Sequence, residues 1–256
     1  MNLILLFDSD FVAPTRVRLS GRRFIHIQDI LKAQTGQSLT VGKINGLMGQ
    51  GILVSKSTDC VELEVKLDCN PPQALALSLI LALPRPPMLK RILFSAAMLG
   101  VKKIIILNFN RVEKSLWSSS ALKEQAITEQ LVLGLEQAKD TVMPEVILKK
   151  GFKPFVQDDL PSIIKGNKAL VAHPNTDIPS LMSGGESNVP FPSPLRGGLG
   201  RGDHSDNHIV LIIGPEGGII DYEIELLKAS GCQTIDLGPR ILRTEIVLPY
   251  VVGKFF

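Results

Sequence analysis

Six strand-like apolar runs in the second part of the chain constrain the fold more than any other feature. They cover 74–83, 101–107, 144–148, 168–172, 208–213 and 233–237. The run 74–83 is apolar at every position except Ser78, which is typical of a strand buried on both faces. Helical patterns at 86–99 and 119–139 lie between these runs, and Pro86 suits the first turn of its helix. Strands that alternate with helices predict an α/β fold with a mostly parallel sheet.

The first 70 residues show a different pattern. Short strand-like runs at 3–7, 38–41, 51–55 and 61–67 are separated by turn signals, and one helical piece fits 26–33. Closely spaced short strands predict a small β-barrel. Asn70-Pro71-Pro72 then interrupts the pattern, as a linker does. We therefore expect one domain over 1–70 and a second over 73–256.

Charge, cysteines and hydropathy narrow the classes of function. Twenty-eight Lys and Arg against 25 Asp and Glu give a net charge of +3, which permits nucleic-acid binding without arguing for it. Cys60, Cys69 and Cys232 lack metal-ligand spacing, so no metal is expected. No apolar run approaches the roughly 20 residues that span a bilayer. The start of the chain is too short for a signal peptide. We expect a cytoplasmic protein with no membrane partner.

One segment within the second domain has the composition of a disordered insertion. Residues 183–207 contain six glycines, three prolines and four serines without periodicity, so the segment buries too little apolar surface to offset its ordering entropy. Arg196 and Arg201 within it are candidates for RNA contact. A passive loop is the alternative interpretation.

Glycine and proline follow three of the predicted strands. Gly214-Pro215-Glu216-Gly217-Gly218 follows 208–213, Gly238-Pro239 follows 233–237, and Ala172-His173-Pro174 ends 168–172. No phosphate-binding loop and no dinucleotide fingerprint is present. Because ligands of open α/β sheets bind outside the carboxyl ends of the strands, these three loops are expected to form one pocket. Thr244 is expected to cap the final helix.

Two stretches around these turns, LIIGPEGGIIDYEIELL and IDLGPRILRTE, closely resemble the RsmE family of 16S ribosomal RNA uridine methyltransferases, within the SPOUT superfamily. HIQDILKAQTGQSLTVGKINGLMGQGIL is similar to the PUA-like RNA-binding barrel of that family. The resemblance implies a SPOUT-type trefoil-knotted methyltransferase domain, preceded by the PUA-like barrel, in a homodimer. It also implies S-adenosylmethionine as methyl donor and uridine N3 of small-subunit ribosomal RNA as acceptor.

The resemblance also implies which residues form the site. The residues expected to contact the cofactor are Ile213, Gly214, Glu216, Gly218, Leu237, Gly238, Ile241 and Leu242. Arg243 follows the second cofactor loop directly and is the candidate catalytic residue, because a fixed cation stabilises the negative charge of a deprotonated uracil. The alternative is that Arg243 makes a purely structural contact with Glu245 or with a helix of a partner subunit. For Glu216 the alternative is neutralisation of a helix N-terminus.

Several residues depart from the family pattern, and two of these departures bear on activity. Asp140 replaces an arginine, on a surface expected to face RNA or cofactor, and Pro249 falls inside the final helix, where proline costs about 3 kcal/mol. The helix is therefore expected to be short or kinked. These departures leave two alternatives open: a catalytically impaired RNA-binding relative of the same fold, or a methyltransferase acting on a different RNA nucleotide.

Overall fold

The computed structural model describes residues 2–173 and 208–256, so the insertion predicted at 183–207 lies outside the described residues. The chain forms two compact units. The first consists of Met1–Leu75, Lys90–Lys102 and Ser120–Glu145, and the second of Ala76–Leu89, Lys103–Ser119 and Val146–Phe256. Two segments that the sequence assigns to the second domain, 90–102 and 120–145, thus belong to the first unit.

A six-stranded mixed sheet organises the first unit. Its strands are β1 (Ile4–Leu6), β2 (Phe11–Ala13), β3 (Arg16–Ser20), β4 (Ser38–Lys43), β5 (Met48–Lys56) and β6 (Cys60–Cys69). They lie in the order β1-β4-β5-β6-β3-β2, with β1 parallel to β4 and the other neighbours antiparallel. The four predicted strands are confirmed, whereas β2 and β3 were missed.

Alternation along the strands builds the core of this unit. In β3, Val17 and Leu19 are buried between exposed polar residues, a period-two signal that the sequence interpretation overlooked. In β6, Val61 and Leu63 are fully buried within the same cluster. The helical piece predicted at 26–33 lies earlier, as α1 (Gly21–Ile25) followed by a π-helical turn over His26–Ile30.

A six-stranded sheet with parallel strands organises the second unit and confirms the predicted α/β class with a mostly parallel sheet. Its strands are β7 (Leu77–Ala82), β8 (Lys103–Leu107), β9 (Glu145–Lys149), β10 (Lys168–Ala172), β11 (Ile209–Ile213) and β12 (Gln233–Ile235). The order is β12-β10-β11-β7-β8-β9, and β12, β10, β11, β7 and β8 pair in parallel. Every residue of β7 and β11 is buried, as their continuous apolar runs predict.

Within residues 2–173 and 208–256, six α-helices follow α1. They are α2 (Pro86–Met98), α3 (Glu124–Ala138), α4 (Phe152–Pro154), α5 (Leu160–Ile164), α6 (Asp221–Ala229) and α7 (Thr244–Phe255). The helix predicted over 119–139 begins only at Glu124, after two 3₁₀ turns. None of the helices in the described parts of the chain is long and apolar enough to span a bilayer.

The final helix corrects the expected capping role of Thr244 and excludes one of the two alternatives expected from Pro249. Thr244 is the first helical residue of α7, and the capping position is Arg243, whose side chain makes no capping hydrogen bond. The helix is not short, because it runs through Pro249 to Phe255.

Asp140 does not present its charge on a surface. Its side chain is 4% exposed, and it forms an ion pair of 2.5 Å with Lys102 Nζ. The second carboxylate oxygen accepts a hydrogen bond from the Val142 amide at 2.9 Å. Asp140 is thus a buried structural anchor of the loop that follows α3, which corrects the expectation of a reversed charge facing RNA or cofactor.

Candidate active site

Three loops converge on one cleft at the carboxyl edge of the parallel sheet. Since β10 pairs in parallel with both β11 and β12, the loops that follow these strands emerge at the same edge. The His173 amide donates to the Ile235 carbonyl at 3.1 Å and joins two of them. The cleft is lined by Ala172, His173, Ile213, Gly214, Pro215, Glu216, Gly218, Ile219, Asp236, Leu237, Gly238, Arg240, Ile241, Leu242, Thr244 and Val247.

The first turn depends on two glycines. The Gly218 amide donates to the Pro215 carbonyl at 2.8 Å, and Gly218 has a φ of +81°, a conformation that glycine adopts without strain. A Cβ at Gly214 would overlap the Ile219 side chain. Larger residues at either position would therefore distort this wall of the cleft.

Gly238 shapes the second turn. Its φ is +114°, and its amide donates to Asp236 Oδ1 at 3.0 Å. A Cβ built at Gly238 would meet no protein atom within 4 Å. This glycine therefore leaves open space in the cleft and exposes backbone that a ligand can approach closely.

Nine residues were expected at the site, and the structure brings eight of them together. The eight residues predicted to contact the cofactor all line the cleft described above. Arg243 does not. It lines a neighbouring cleft together with Met88 and Glu245. Glu216, Ile241 and Leu242 border both clefts, so Arg243 stands immediately beside the predicted cofactor position.

The sequence interpretation missed two residues that fasten the first turn. Arg111 Nη1 donates to the Gly217 carbonyl at 2.5 Å. Glu223 is 2% exposed, and its carboxylate accepts from the Asn110 amide at 2.7 Å and from the Ile220 amide at 3.4 Å. The contacts of Arg111 with Gly217 and of Asn110 with Glu223 join residues more than 100 positions apart, which no local pattern reveals.

The cleft combines apolar walls with charged groups of both signs, because Arg240 lines it together with two carboxylates. Ile213, Leu237 and Val247 provide apolar walls, while Glu216 and Asp236 provide carboxylates. The open space beside Gly238 allows a ligand to hydrogen-bond to the bare backbone of the turn. Ile241 is 87% exposed at this cleft and offers apolar surface that a ligand would cover.

These features define an α/β fold with a ligand cleft at the carboxyl edge of its parallel sheet. The family model described as an RNA methyltransferase domain matches residues 71–253, and the chain belongs to this family. The match covers the whole parallel sheet and both glycine turns.

Relatives confirm the resemblance to the RsmE family. The chain is 28% identical over 248 residues to ribosomal RNA small subunit methyltransferase E of Treponema pallidum, covering 94% of this chain and 86% of that protein. It is 25% identical to the protein of the same name from Bacillus subtilis, covering 94% and 89% of the two chains. The crystal structure of ribosomal RNA small subunit methyltransferase E from Neisseria gonorrhoeae, bound to S-adenosyl methionine, shares the fold with a TM-score of 0.68 at 22% identity, covering 99% of this chain and 95% of that one.

Proposed function

We propose that this protein transfers a methyl group from S-adenosylmethionine to N3 of a uridine in 16S ribosomal RNA of the small subunit, in the cytoplasm. The observation that carries the proposal is the convergence of all eight predicted cofactor-contacting residues on one cleft. Membership of the RNA methyltransferase domain family and relatives named for small-subunit ribosomal RNA support the same substrate.

The residues of the cleft fit S-adenosylmethionine. The glycine turns present backbone groups to the adenine edge, and Ile213, Leu237 and Leu242 supply apolar surface for its ring. Glu216 and Asp236 complement a ligand that carries both a sulfonium and an ammonium charge. No phosphate-binding loop is needed, because this cofactor has no phosphate.

The proposed catalytic role of Arg243 follows from its position. When bound, the cofactor supplies an electrophilic methyl group on a sulfonium. Uracil N3 must lose its proton before it can attack, and the resulting negative charge spreads over the two flanking carbonyl oxygens. An exposed guanidinium beside the cofactor cleft can donate to these oxygens and hold that charge.

The two domains predicted from the sequence have different roles in this proposal. We assign 73–256 to a SPOUT-type trefoil-knotted methyltransferase domain and 1–70 to a PUA-like barrel that binds RNA. The mixed sheet with its alternating core supports the second assignment, and the parallel sheet with glycine turns at its carboxyl edge supports the first.

The exposed face of α7 supports a homodimer. Ile246 is 48% exposed and Tyr250 is 42% exposed, and they lie one turn apart with Pro249 and Gly253 on the same side. Soluble proteins rarely leave such an apolar stripe uncovered. In a twofold dimer the stripe would meet its own copy.

Light scattering tests the dimer. The chain has a mass of 27.9 kDa, so the wild type should show about twice that value and Ile246→Asp about the monomer mass. Tyr222→Asp, at an exposed position on α6, should leave the mass unchanged. A monomeric wild type at micromolar concentration would contradict the dimer.

Methyl transfer tests the function itself. Small subunits isolated from a strain that lacks this protein should accept radiolabelled methyl from S-adenosylmethionine, and digestion should release 3-methyluridine. Arg243→Ala should lower the transfer rate about 100-fold, the usual loss when one charge-stabilising donor is removed, while cofactor binding measured by calorimetry is retained. Arg243→Lys should recover part of the rate. Cofactor binding without transfer would identify an impaired RNA-binding relative, and a different modified nucleoside would redirect the substrate assignment.

A further inference from the structure

A basic and aromatic cluster lies beside the candidate active site, at the carboxyl edge of the parallel sheet. It consists of Asn108, Arg111, Lys114, Trp117 and Lys150. Asn108 directly follows β8, and Lys150 directly follows β9. Lys114 and Trp117 belong to the 3₁₀ turn Lys114–Ser118. The Asn108 amide donates to the Lys149 carbonyl at 3.0 Å, which brings the two strand ends together.

The indole of Trp117 is held in a fixed position. Its Nε1 donates to Asn108 Oδ1 at 2.8 Å, which satisfies the one polar atom of the ring. Lys150 Nζ lies 5.9 Å from the ring centroid, near the outer limit of a cation–π contact. The side chain is half-buried, so part of the ring surface meets solvent. An anchored and partly exposed indole is a ready surface for a second aromatic ring.

The loop that carries Trp117 is fastened to the first glycine turn of the candidate active site. Arg111 donates to the Gly217 carbonyl, and the Asn110 amide donates to Glu223. Phe109, which precedes Asn110, is fully buried and packs against Phe152 with ring centroids 4.8 Å apart. These contacts fix the position of the cluster relative to the cofactor cleft.

The lysines of the cluster are available to an anion. Lys114 and Lys150 are exposed, and neither forms an ion pair within residues 2–173 and 208–256. The adjacent Lys149 differs, because its Nζ pairs with Asp159 at 2.8 Å. Among the described residues, Lys114 and Lys150 thus bring positive charge to the indole without a carboxylate partner of their own.

We propose that Trp117 is a substrate-positioning residue, on which a base of single-stranded RNA next to the methylated uridine stacks, with Lys150 and Lys114 beside its phosphates. This inference rests on the proposed function, since it places the RNA at the same cleft. Single-stranded RNA is recognised by stacking of splayed bases on aromatic side chains, and every base offers a face for stacking. Lysines beside the platform match the phosphates of the stacked nucleotide.

The protein contains one tryptophan, so its intrinsic fluorescence reports directly on this position. Titration of the wild-type protein with a ten-nucleotide oligouridylate, in the presence of S-adenosylhomocysteine, should quench Trp117. Anisotropy of the same oligonucleotide carrying a dye reports binding independently. Binding by anisotropy without any change in tryptophan emission would overturn the inference.

Variants separate stacking from charge. Trp117→Ala should weaken oligouridylate and small-subunit binding about 10-fold, or about 1.4 kcal/mol, and Trp117→Phe should restore most of the affinity. Lys150→Ala should reduce the slope of log affinity against log salt by about 0.7, the value for one phosphate contact to a single strand, whereas Trp117→Ala should leave the slope unchanged. Lys165→Ala, an exposed lysine that precedes β10 at the opposite edge of the sheet, should alter neither quantity.

The two proposals fail in different ways. If RNA quenches the Trp117 fluorescence of the wild-type protein but the protein methylates no small subunit, the proposed function is wrong and base stacking on Trp117 is still supported. A wild type that methylates small subunits while Trp117→Ala matches it in affinity and rate would sink the platform alone. Calorimetry with S-adenosylmethionine should give equal affinities for every variant in the series.

Discussion

The mixed sheet and the parallel sheet each have six strands, but they place polar residues differently. Along the mixed sheet, polar residues alternate with core residues, and opposite charges pair across strands, as in Arg18 with Glu62 at 2.8 Å. In the parallel sheet, β7 and β11 are buried throughout, and the polar groups of the cleft come after the strands end. In the mixed sheet, charged residues lie along the exposed surface of the strands. In the parallel sheet, the polar residues of the cleft lie at one edge. Substitutions in the first should change stability, and substitutions at the edge of the second should change binding.

The largest effect on stability is expected at the centre of the mixed sheet. Leu63 is fully buried, and Leu63→Ala should lower the free energy of unfolding by about 2–5 kcal/mol through lost burial and the remaining cavity. Ile52→Ala, at a 48% exposed position of β5, serves as the control and should cost much less. Denaturant unfolding measures both. Affinity for S-adenosylmethionine should stay at the wild-type value, and a parallel loss of affinity would break the contrast between the two sheets.

The second effect concerns the edge of the parallel sheet. Gly238→Val should weaken S-adenosylmethionine binding about 100-fold, because a β-branched residue is strained at positive φ and its side chain occupies the cleft. Gly166→Val is a matched control, since Gly166 also has positive φ and open space around its Cβ but precedes β10 at the other edge. Calorimetry should find normal affinity in the control. Equal losses in both variants would attribute the effect to backbone strain and not to the cleft.

A smaller, pH-dependent effect is expected at Glu136. Burial raises the pKa of this carboxyl above its ordinary value of 4.5, against the opposing influence of Arg22, whose Nη2 lies 2.8 Å away. A raised pKa means that the folded state binds the proton more tightly than the unfolded state. The stability contributed by protonated Glu136 is therefore fully present below pH 4.5 and is lost as pH rises through the folded pKa.

Comparison with Glu136→Gln measures this linkage. The variant should lose that part of the pH dependence, so its stability relative to the wild type should increase from pH 4.5 upward and then level off. Glu129→Gln, at an exposed position of the same helix, should follow the wild-type curve. Melting temperatures across this range give the comparison, and identical curves for Glu136→Gln and wild type would refute the linkage.

The smallest effect is expected at a surface ion pair of the second unit. Lys228 Nζ lies 3.1 Å from Glu225 Oε1 on α6, and both side chains are well exposed. Lys228→Ala should change the free energy of unfolding by no more than about 0.5 kcal/mol, because water and salt screen such pairs. Chemical denaturation with and without 1 M salt checks this. A loss above 1 kcal/mol would show that charges on the parallel unit matter for stability after all.

Several elements of the fold could be predicted because their signals are local. The continuous apolar runs gave β7, β10 and β11 with bounds correct to a few residues, and the glycine turns indicated which strand ends carry the site. β3 was not predicted. Its alternation is visible, but each of its apolar residues stands between charged or hydroxyl residues, so the strand contains no continuous apolar run. Helix α3 was predicted to begin too early, at residue 119, because serines favour helix starts and 3₁₀ turns alike.

By itself, the sequence determined the α/β class and the two glycine turns, because periodicity and backbone freedom are properties of neighbouring residues. The eight residues around the cleft were implied by the resemblance of the sequence to a known family. Only the tertiary structure determined the environment of the charged residues. It buried Asp140 against Lys102, tied Arg111 to Gly217 and Asn110 to Glu223, and set Trp117 beside Lys150. Whether a charge is exposed, paired or buried depends on residues tens to more than a hundred positions away, and only the packing of strands brings such residues together.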